Sequence, residues 1–170
     1  MGVTIEDRSA LTRRIGGRHL PVARLAPDSG AMDSAASPHV TVFVVEDSPA
    51  IRERIVEMLA HVEAATLVGE AETALDAIDG IRRCAPDLVL LDIHLREGSG
   101  LEVLRATRDT AGRPMFVVLS NDTSAKQRST CLAAGAKHFL DKSLDFLRIT
   151  EIISTFAIQR GQPQLHRRAP

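Results

Sequence analysis

Five polar residues of this 170-residue chain stand at or just past the ends of short apolar runs. Glu46 and Asp47 follow Val40–Val45, Asp92 follows Leu88–Leu91, Ser120 follows Met115–Leu119, and Lys142 comes shortly after Lys137–Leu140. Singly, each has an ordinary explanation, because a polar residue is the commonest way for a chain to leave a buried strand. Ser120 fits a turn or cap, and Lys142 fits a surface lysine whose stem lies on apolar surface. As a set they carry chemistry. Three clustered carboxylates repel one another unless a cation is present. Mg²⁺ is the natural choice where a few carboxylates meet phosphate oxygens. A carboxylate can also be a nucleophile that forms an acyl phosphate, while a metal, a hydroxyl and a lysine neutralise charge on the transferring oxygens. The chemistry indicated is phosphoryl transfer to an aspartate.

That chemistry requires a fold that gathers four strand ends. The β-branched run Val40–Val45 predicts a buried strand. Ser48-Pro49 supplies an N-cap and first-turn proline, and Ile51, Ile55, Met58 and Leu59 stripe one helix face. The alternation then repeats. Thr66–Gly69 reads as a strand, and Leu75, Ile78 and Ile81 mark a helix ending near Cys84. Asp87–Leu91 is a strand, and Ser99-Gly-Leu-Glu102 fits a capping box opening a helix through Leu101, Val103 and Leu104. Met115–Leu119 is a strand, a helix spans Thr123–Ala134, and Lys137–Leu140 is a strand. Leu147, Ile149, Ile152, Ile153 and Phe156 stripe a last helix reaching Ile158. Five strands alternating with five helices predict an α/β fold, a doubly wound parallel sheet covered on both faces. Such sheets bind ligands at the carboxyl ends of their strands.

Composition narrows the classes further. The net charge of -1 averages an acidic middle, residues 40–158 with 13 basic and 18 acidic residues, and two weakly basic ends. Near-neutrality, five Phe and no Trp or Tyr argue against a nucleic-acid binder. No apolar run approaches the roughly 18 residues of a membrane span, and the first residues lack an apolar signal core. Glu6 stands where a myristoylation signal needs Ser or Thr. Cys84 and Cys131 form no CxxC, which excludes a zinc ribbon or disulfide scaffold and leads us to expect a reduced, cytoplasmic setting. Residues 1–38, punctuated by Gly16-Gly17, Pro21 and Pro27, read as a disordered extension, with translation expected to start at Met32 rather than Met1. Residues 159–170 read as a disordered tail.

The motifs Val44-Val-Glu-Asp-Ser-Pro49, Pro86-Asp-Leu-Val-Leu-Leu-Asp92, Gly98-Ser-Gly-Leu-Glu102, Val117-Val-Leu-Ser120 and Phe139-Leu-Asp-Lys142 resemble the response-regulator receiver domain of two-component systems. The intervals of 45, 28 and 22 residues between Asp47, Asp92, Ser120 and Lys142 resemble that family too, over residues 39–158. The resemblance implies a flavodoxin-like sheet of order 2-1-3-4-5, with Asp92 as phosphoacceptor. Asp47 and Asp92 would hold Mg²⁺ directly, with Glu46 acting through water and the His94 backbone carbonyl as a further ligand. Ser120 would move toward the phosphoryl group, Lys142 would pair with it, and Phe139 would rotate inward on activation. Four residues depart from the family pattern. Arg96 in place of Pro should loosen its loop, whereas Ser99 in place of Asp still caps a helix. Asn121 in place of a small residue narrows access. Ser143 replaces a Pro whose preceding bond is characteristically cis. A cis Lys142–Ser143 bond would cost about 2.5–4 kcal/mol, so either it is retained under strain or the loop is rebuilt. His94, Asn121 and Asp122 border the site and are expected to tune the lifetime of the phosphoryl group. His19, His39, His61, His138 and His166 read as surface residues.

The 12 residues after Ile158 are too few for a folded output module. The expectation is therefore a single-domain response regulator, phosphorylated on Asp92 by a histidine kinase or histidine phosphotransfer protein. It would catalyse only its own Mg²⁺-dependent phosphorylation and dephosphorylation. A downstream protein, as yet unknown, would read the face built from the fourth helix, fifth strand and fifth helix, with no direct DNA or membrane binding. One alternative is a phosphorylation-independent adaptor, against which the intact Asp92, Asp47 and Lys142 weigh. Another is an aspartate-nucleophile phosphatase, but its second aspartate is replaced here in Asp92-Ile-His94.

Overall fold

The computed structural model describes residues 39–109 and 112–161. The expectations for residues 1–38, the Met32 start included, and for 162–170 lie outside the described residues. Ten elements alternate: β1 (Val40–Val45), α1 (Pro49–Ala60), β2 (Ala65–Ala71), α2 (Ala74–Cys84), β3 (Leu88–Asp92), α3 (Gly100–Ala106), β4 (Met115–Ser120), α4 (Ala125–Ala133), β5 (His138–Asp141) and α5 (Phe146–Gly161). The strands pair in parallel in the order β2-β1-β3-β4-β5.

Side chains of successive strand residues point to opposite faces, so each continuous apolar strand supplies two cores. Val42, Val44, Leu88, Leu90, Val117, Leu119 and Leu140 pack with Ile55 and Leu59 of α1 and Ile149 and Ile153 of α5. Phe43, Val89, Leu91, Phe116, Val118 and Phe139 pack with α2, α3 and α4. The Phe43 ring fits only because two glycines face it. A Cβ at Gly69 in β2 would lie 2.5 Å from its Cε2, and one at Gly80 in α2 would lie 2.5 Å from its Cζ.

Two helix stripes differ from expectation. Leu75 is 71% exposed and Leu147 is 80% exposed. Beside the expected Ile81, α2 buries Ala74, Ala77 and Gly80, small residues that let it lie close over Phe43. Its N-cap is Thr73, whose hydroxyl accepts from Asp76 N at 3.2 Å. Ser99 caps α3 as expected, accepting from Glu102 N at 3.3 Å. Ser48 is the N-cap of α1 without a side-chain capping bond. α5 runs to Gly161, past the expected end at Ile158, with Arg160 paired to Asp87 at the start of β3 at 2.5 Å. Among the described residues no helix is long and apolar enough to cross a membrane.

Candidate functional site

β1, β3, β4 and β5 all end at one edge of the sheet, which is why residues far apart in sequence meet there. Lys142 N donates to Ser120 O at 3.1 Å, tying the ends of β4 and β5. The Lys142 side chain, 7% exposed, reaches back so that its Nζ lies 2.7 Å from both Glu46 Oε2 and Asp92 Oδ2. Those carboxylates are 1% and 4% exposed. Burial pushes the Glu46 carboxyl above its ordinary pKa; Lys142 opposes the rise and the charge of Asp92 adds to it. Burial also works against the charged form of Lys142, but its bonds to Asp92 and Glu46 outweigh that and hold its pKa above the ordinary value.

The arrangement is short of positive charge. Ligand oxygens of Glu46, Asp47 and Asp92 all lie within 4.8 Å of one another, with one ammonium bridging two of the three. Glu46 Oε1 accepts from Ser48 N at 3.2 Å, and the buried Oε2 is met by the Lys142 ammonium. Hard oxygen donors and surplus negative charge fit a small divalent cation such as Mg²⁺.

Asp92 is itself held. Its Oδ1 accepts from His94 N at 3.0 Å, and the turn beyond closes through Gly100 N donating to Ile93 O at 3.0 Å and an antiparallel bridge between His94 and Ser99. Gly100 opens α3 so close beneath Asp92 that a Cβ there would lie 2.2 Å from the Asp92 carbonyl oxygen.

The remaining residues predicted from sequence line the rim or point elsewhere. Ser120 is fully buried, and its hydroxyl accepts from Asp122 N at 3.1 Å and donates to Asp122 O at 3.2 Å, so both bonds stay within its own loop. Asn121, Asp122 and His94 are exposed. The Asp122 carboxylate accepts from Ser124 N at 3.0 Å, which lowers its pKa, with a smaller contribution from His94 nearby. Phe139 is already buried, with the Arg128 guanidinium 5.0 Å from its ring centroid and Nη1 donating to its carbonyl at 3.2 Å. The expected inward rotation therefore has no outward starting point here. His138 is half-buried rather than a surface residue, and burial lowers its pKa.

Two expectations about the loops are resolved. No described peptide bond is cis, so the loop after β5 is rebuilt. Asp141 Oδ1 accepts from Ser143 N at 2.7 Å and Leu144 N at 3.2 Å, while Asp141 N donates to Asp145 Oδ2 at 3.0 Å. Arg96 does not loosen its loop. Its Nη2 lies 3.1 Å from Glu72 Oε2, and Glu72 also takes Arg52, so the loop is tied to the segment between β2 and α2. The sequence reading missed Arg52, Glu72, Asp141 and Asp145. The Asp141-Lys-Ser pattern could have signalled a side-chain-stabilised turn, but the Arg–Glu pairs join distant segments and carry no local signal.

The sequence and the fold both have counterparts among known proteins. The model of the response regulator receiver domain matches residues 42–154. A Pseudomonas aeruginosa protein described as a transcriptional regulator is 36% identical over 101 residues, 59% of this chain and 48% of its own. Protein-glutamate methylesterase/protein-glutamine glutaminase 1 of Methanospirillum hungatei is 35% identical over 115 residues, 66% of this chain and 34% of its own. The match thus spans half or less of the length of these curated relatives. Among solved structures, the signal receiver domain of NarL from Mycobacterium tuberculosis superposes with a TM-score of 0.66 at 28% identity, covering 71% of this chain and 97% of that domain.

Proposed function

Because the chain belongs to the response regulator receiver domain family, we propose that it is a phosphoacceptor switch whose acceptor is Asp92. The observation that carries this reading is the buried bridge of Lys142 between Asp92 and Glu46, beside a third carboxylate. A carboxylate oxygen of Asp92 forms a bond to phosphorus as the donor's bond to that phosphorus breaks, giving an acyl phosphate. Attack by water at phosphorus later returns the carboxylate and inorganic phosphate. The donor group is a phosphohistidine of a histidine kinase or phosphotransfer protein.

Mg²⁺ held by Asp47, Asp92 and the His94 carbonyl, with Glu46 acting through water, would supply positive charge against the phosphoryl oxygens. Lys142 keeps its contact with the Asp92 end and neutralises a further oxygen. Ser120 exchanges its bonds to Asp122 for one to the phosphoryl group, a side-chain rotation that carries the loop before α4 with it. His94, Asn121 and Asp122 at the rim govern water entry and so the lifetime of the acyl phosphate. The α4–β5–α5 face then presents the signal to a partner protein, and the chain turns over no substrate besides its own phosphoryl group.

A second reading, a phosphorylation-independent adaptor, is favoured by one observation, the Phe139 ring already enclosed beneath Arg128. Incubation with Mg²⁺ and acetyl phosphate, followed by intact-mass measurement, separates the readings. One added phosphoryl group, absent in Asp92→Asn and without Mg²⁺, supports the switch. No uptake supports the adaptor. Sustained phosphate release from added phosphomonoesters would indicate a phosphatase instead.

A further inference from the structure

We propose that Arg52, Glu72 and Arg96 form a positioning strut that sets how tightly the acidic triad binds Mg²⁺, an inference that rests on the phosphoacceptor reading. Arg52 in α1 engages three groups at once. Its Nη1 donates to the Glu46 carbonyl at 2.8 Å, its Nε lies 3.2 Å from Glu70 Oε2, and its Nη2 lies 2.8 Å from Glu72 Oε1. The other oxygen of Glu72 takes Arg96 Nη2 at 3.1 Å. A single carboxylate therefore joins α1 to the loop after β3. The ends of the strut are the peptide directly before Asp47 and the loop that carries His94.

Backbone bonds brace the same loops. Glu46 N donates to Ala71 O at 3.0 Å, and Ala74 N donates to Glu97 O at 2.9 Å. The carboxylates of the triad repel one another, so groups that fix their backbones from outside hold them in a cation-ready arrangement and reduce the reordering that binding requires. The planar guanidinium of Arg52 suits this three-way contact in a way that a lysine would not. Arg52 is largely covered, whereas Glu72 and Arg96 are open to solvent. Pairs that exposed add little to folding stability, so the strut acts on geometry more than on the melting temperature.

The strut and the simple electrostatic field of these residues predict opposite signs for one variant. By field alone, Glu72→Gln removes a negative charge and weakens Mg²⁺, while Arg96→Ala removes a positive charge and tightens it. By the strut, both weaken it. Mg²⁺ dissociation constants are measured by calorimetry on the full chain for wild type, Glu72→Gln, Arg96→Ala and the double variant. The expected result is a weakening of roughly threefold to tenfold in each single variant, with the double no weaker than Glu72→Gln because both break one link. Arg96→Lys restores most of the affinity. Metal-free melting temperatures, recorded alongside, stay close to wild type. Unchanged or tighter binding in Arg96→Ala, additive losses in the double, or weakening that merely tracks a fall in melting temperature would overturn the strut. A wild type that binds no Mg²⁺ removes the phosphoacceptor reading and the strut together. A wild type that binds Mg²⁺ with variants unchanged removes the strut alone.

Discussion

Glu46 shares Lys142 with Asp92 in a space almost closed to water, and its pKa is raised chiefly by that burial. A carboxyl with a raised folded pKa binds its proton more tightly in the folded than in the unfolded state. Stability therefore falls as pH climbs from the ordinary value of 4.5 and stays reduced above the folded pKa. Lys142, whose pKa is also raised, adds a fall of the same sign only in its own, much higher range, and His138, whose pKa is lowered, gives an opposing rise near neutrality, so the difference between wild type and Glu46→Gln isolates the carboxyl. In metal-free protein, Glu46→Gln is expected to raise the melting temperature at pH 7 and to lose most of that advantage near pH 4.5. Added Mg²⁺ should stabilise wild type more than the variant, since a ligand stabilises the state that binds it. Thermal denaturation across pH, with and without Mg²⁺, measures both; a variant less stable than wild type at pH 7 would contradict this account. The five strand-end residues were legible in the sequence because each follows an apolar run. The alignment of the Ser120 hydroxyl with Asp122, and not with Asp92, was not legible, because it depends on one side-chain torsion in a three-residue turn.

Among the elements, α2 and α3 make different uses of glycine. Gly80 of α2 faces the Phe43 ring, a side chain able to shift slightly, whereas Gly100 of α3 faces the Asp92 carbonyl, a backbone atom that moves only if Asp92 itself moves. Gly80→Ala should therefore cost about 1–3 kcal/mol of stability through overpacking and leave phosphoryl uptake on Asp92 near wild type. Gly100→Ala should reduce that uptake well beyond its effect on stability. Denaturant unfolding and intact-mass time courses on both variants check the contrast, and equal losses of uptake would refute it. The same helices show where reading elements from sequence fails. Leu75 and Leu147 look like core residues by spacing, yet both face solvent. Close approach to the sheet is decided by Ala74, Ala77 and Gly80, whose small size carries little hydropathy signal. The strands were easier, because burial on both faces makes them continuously apolar.

At the scale of the whole molecule, the parallel sheet connects the acidic pocket to α4 and β5 through Ser120, Lys142 and the Arg128–Phe139 contact. If phosphorylation draws Ser120 away from Asp122, the loop of residues 121–124 loses two bonds, and α4 shifts against a ring already in place. Hydrogen exchange on protein treated with Mg²⁺ and acetyl phosphate should then change in residues 120–133 and 138–148 and hardly at all in α2. A change confined to the pocket itself would point to a receiver that does not transmit through this face. The order of strands and helices, the acidic edge and the kind of chemistry it supports were determined by the sequence, because apolar period, turn residues and strand-end charges are local properties. Only the tertiary structure decided the trans, Asp141-stapled loop after Lys142, the enclosed Phe139 and the Arg52–Glu72–Arg96 link. Each of these depends on which of several available partners the packed sheet brings within reach, and that choice is made by long-range contacts for which no stretch of sequence carries a signal.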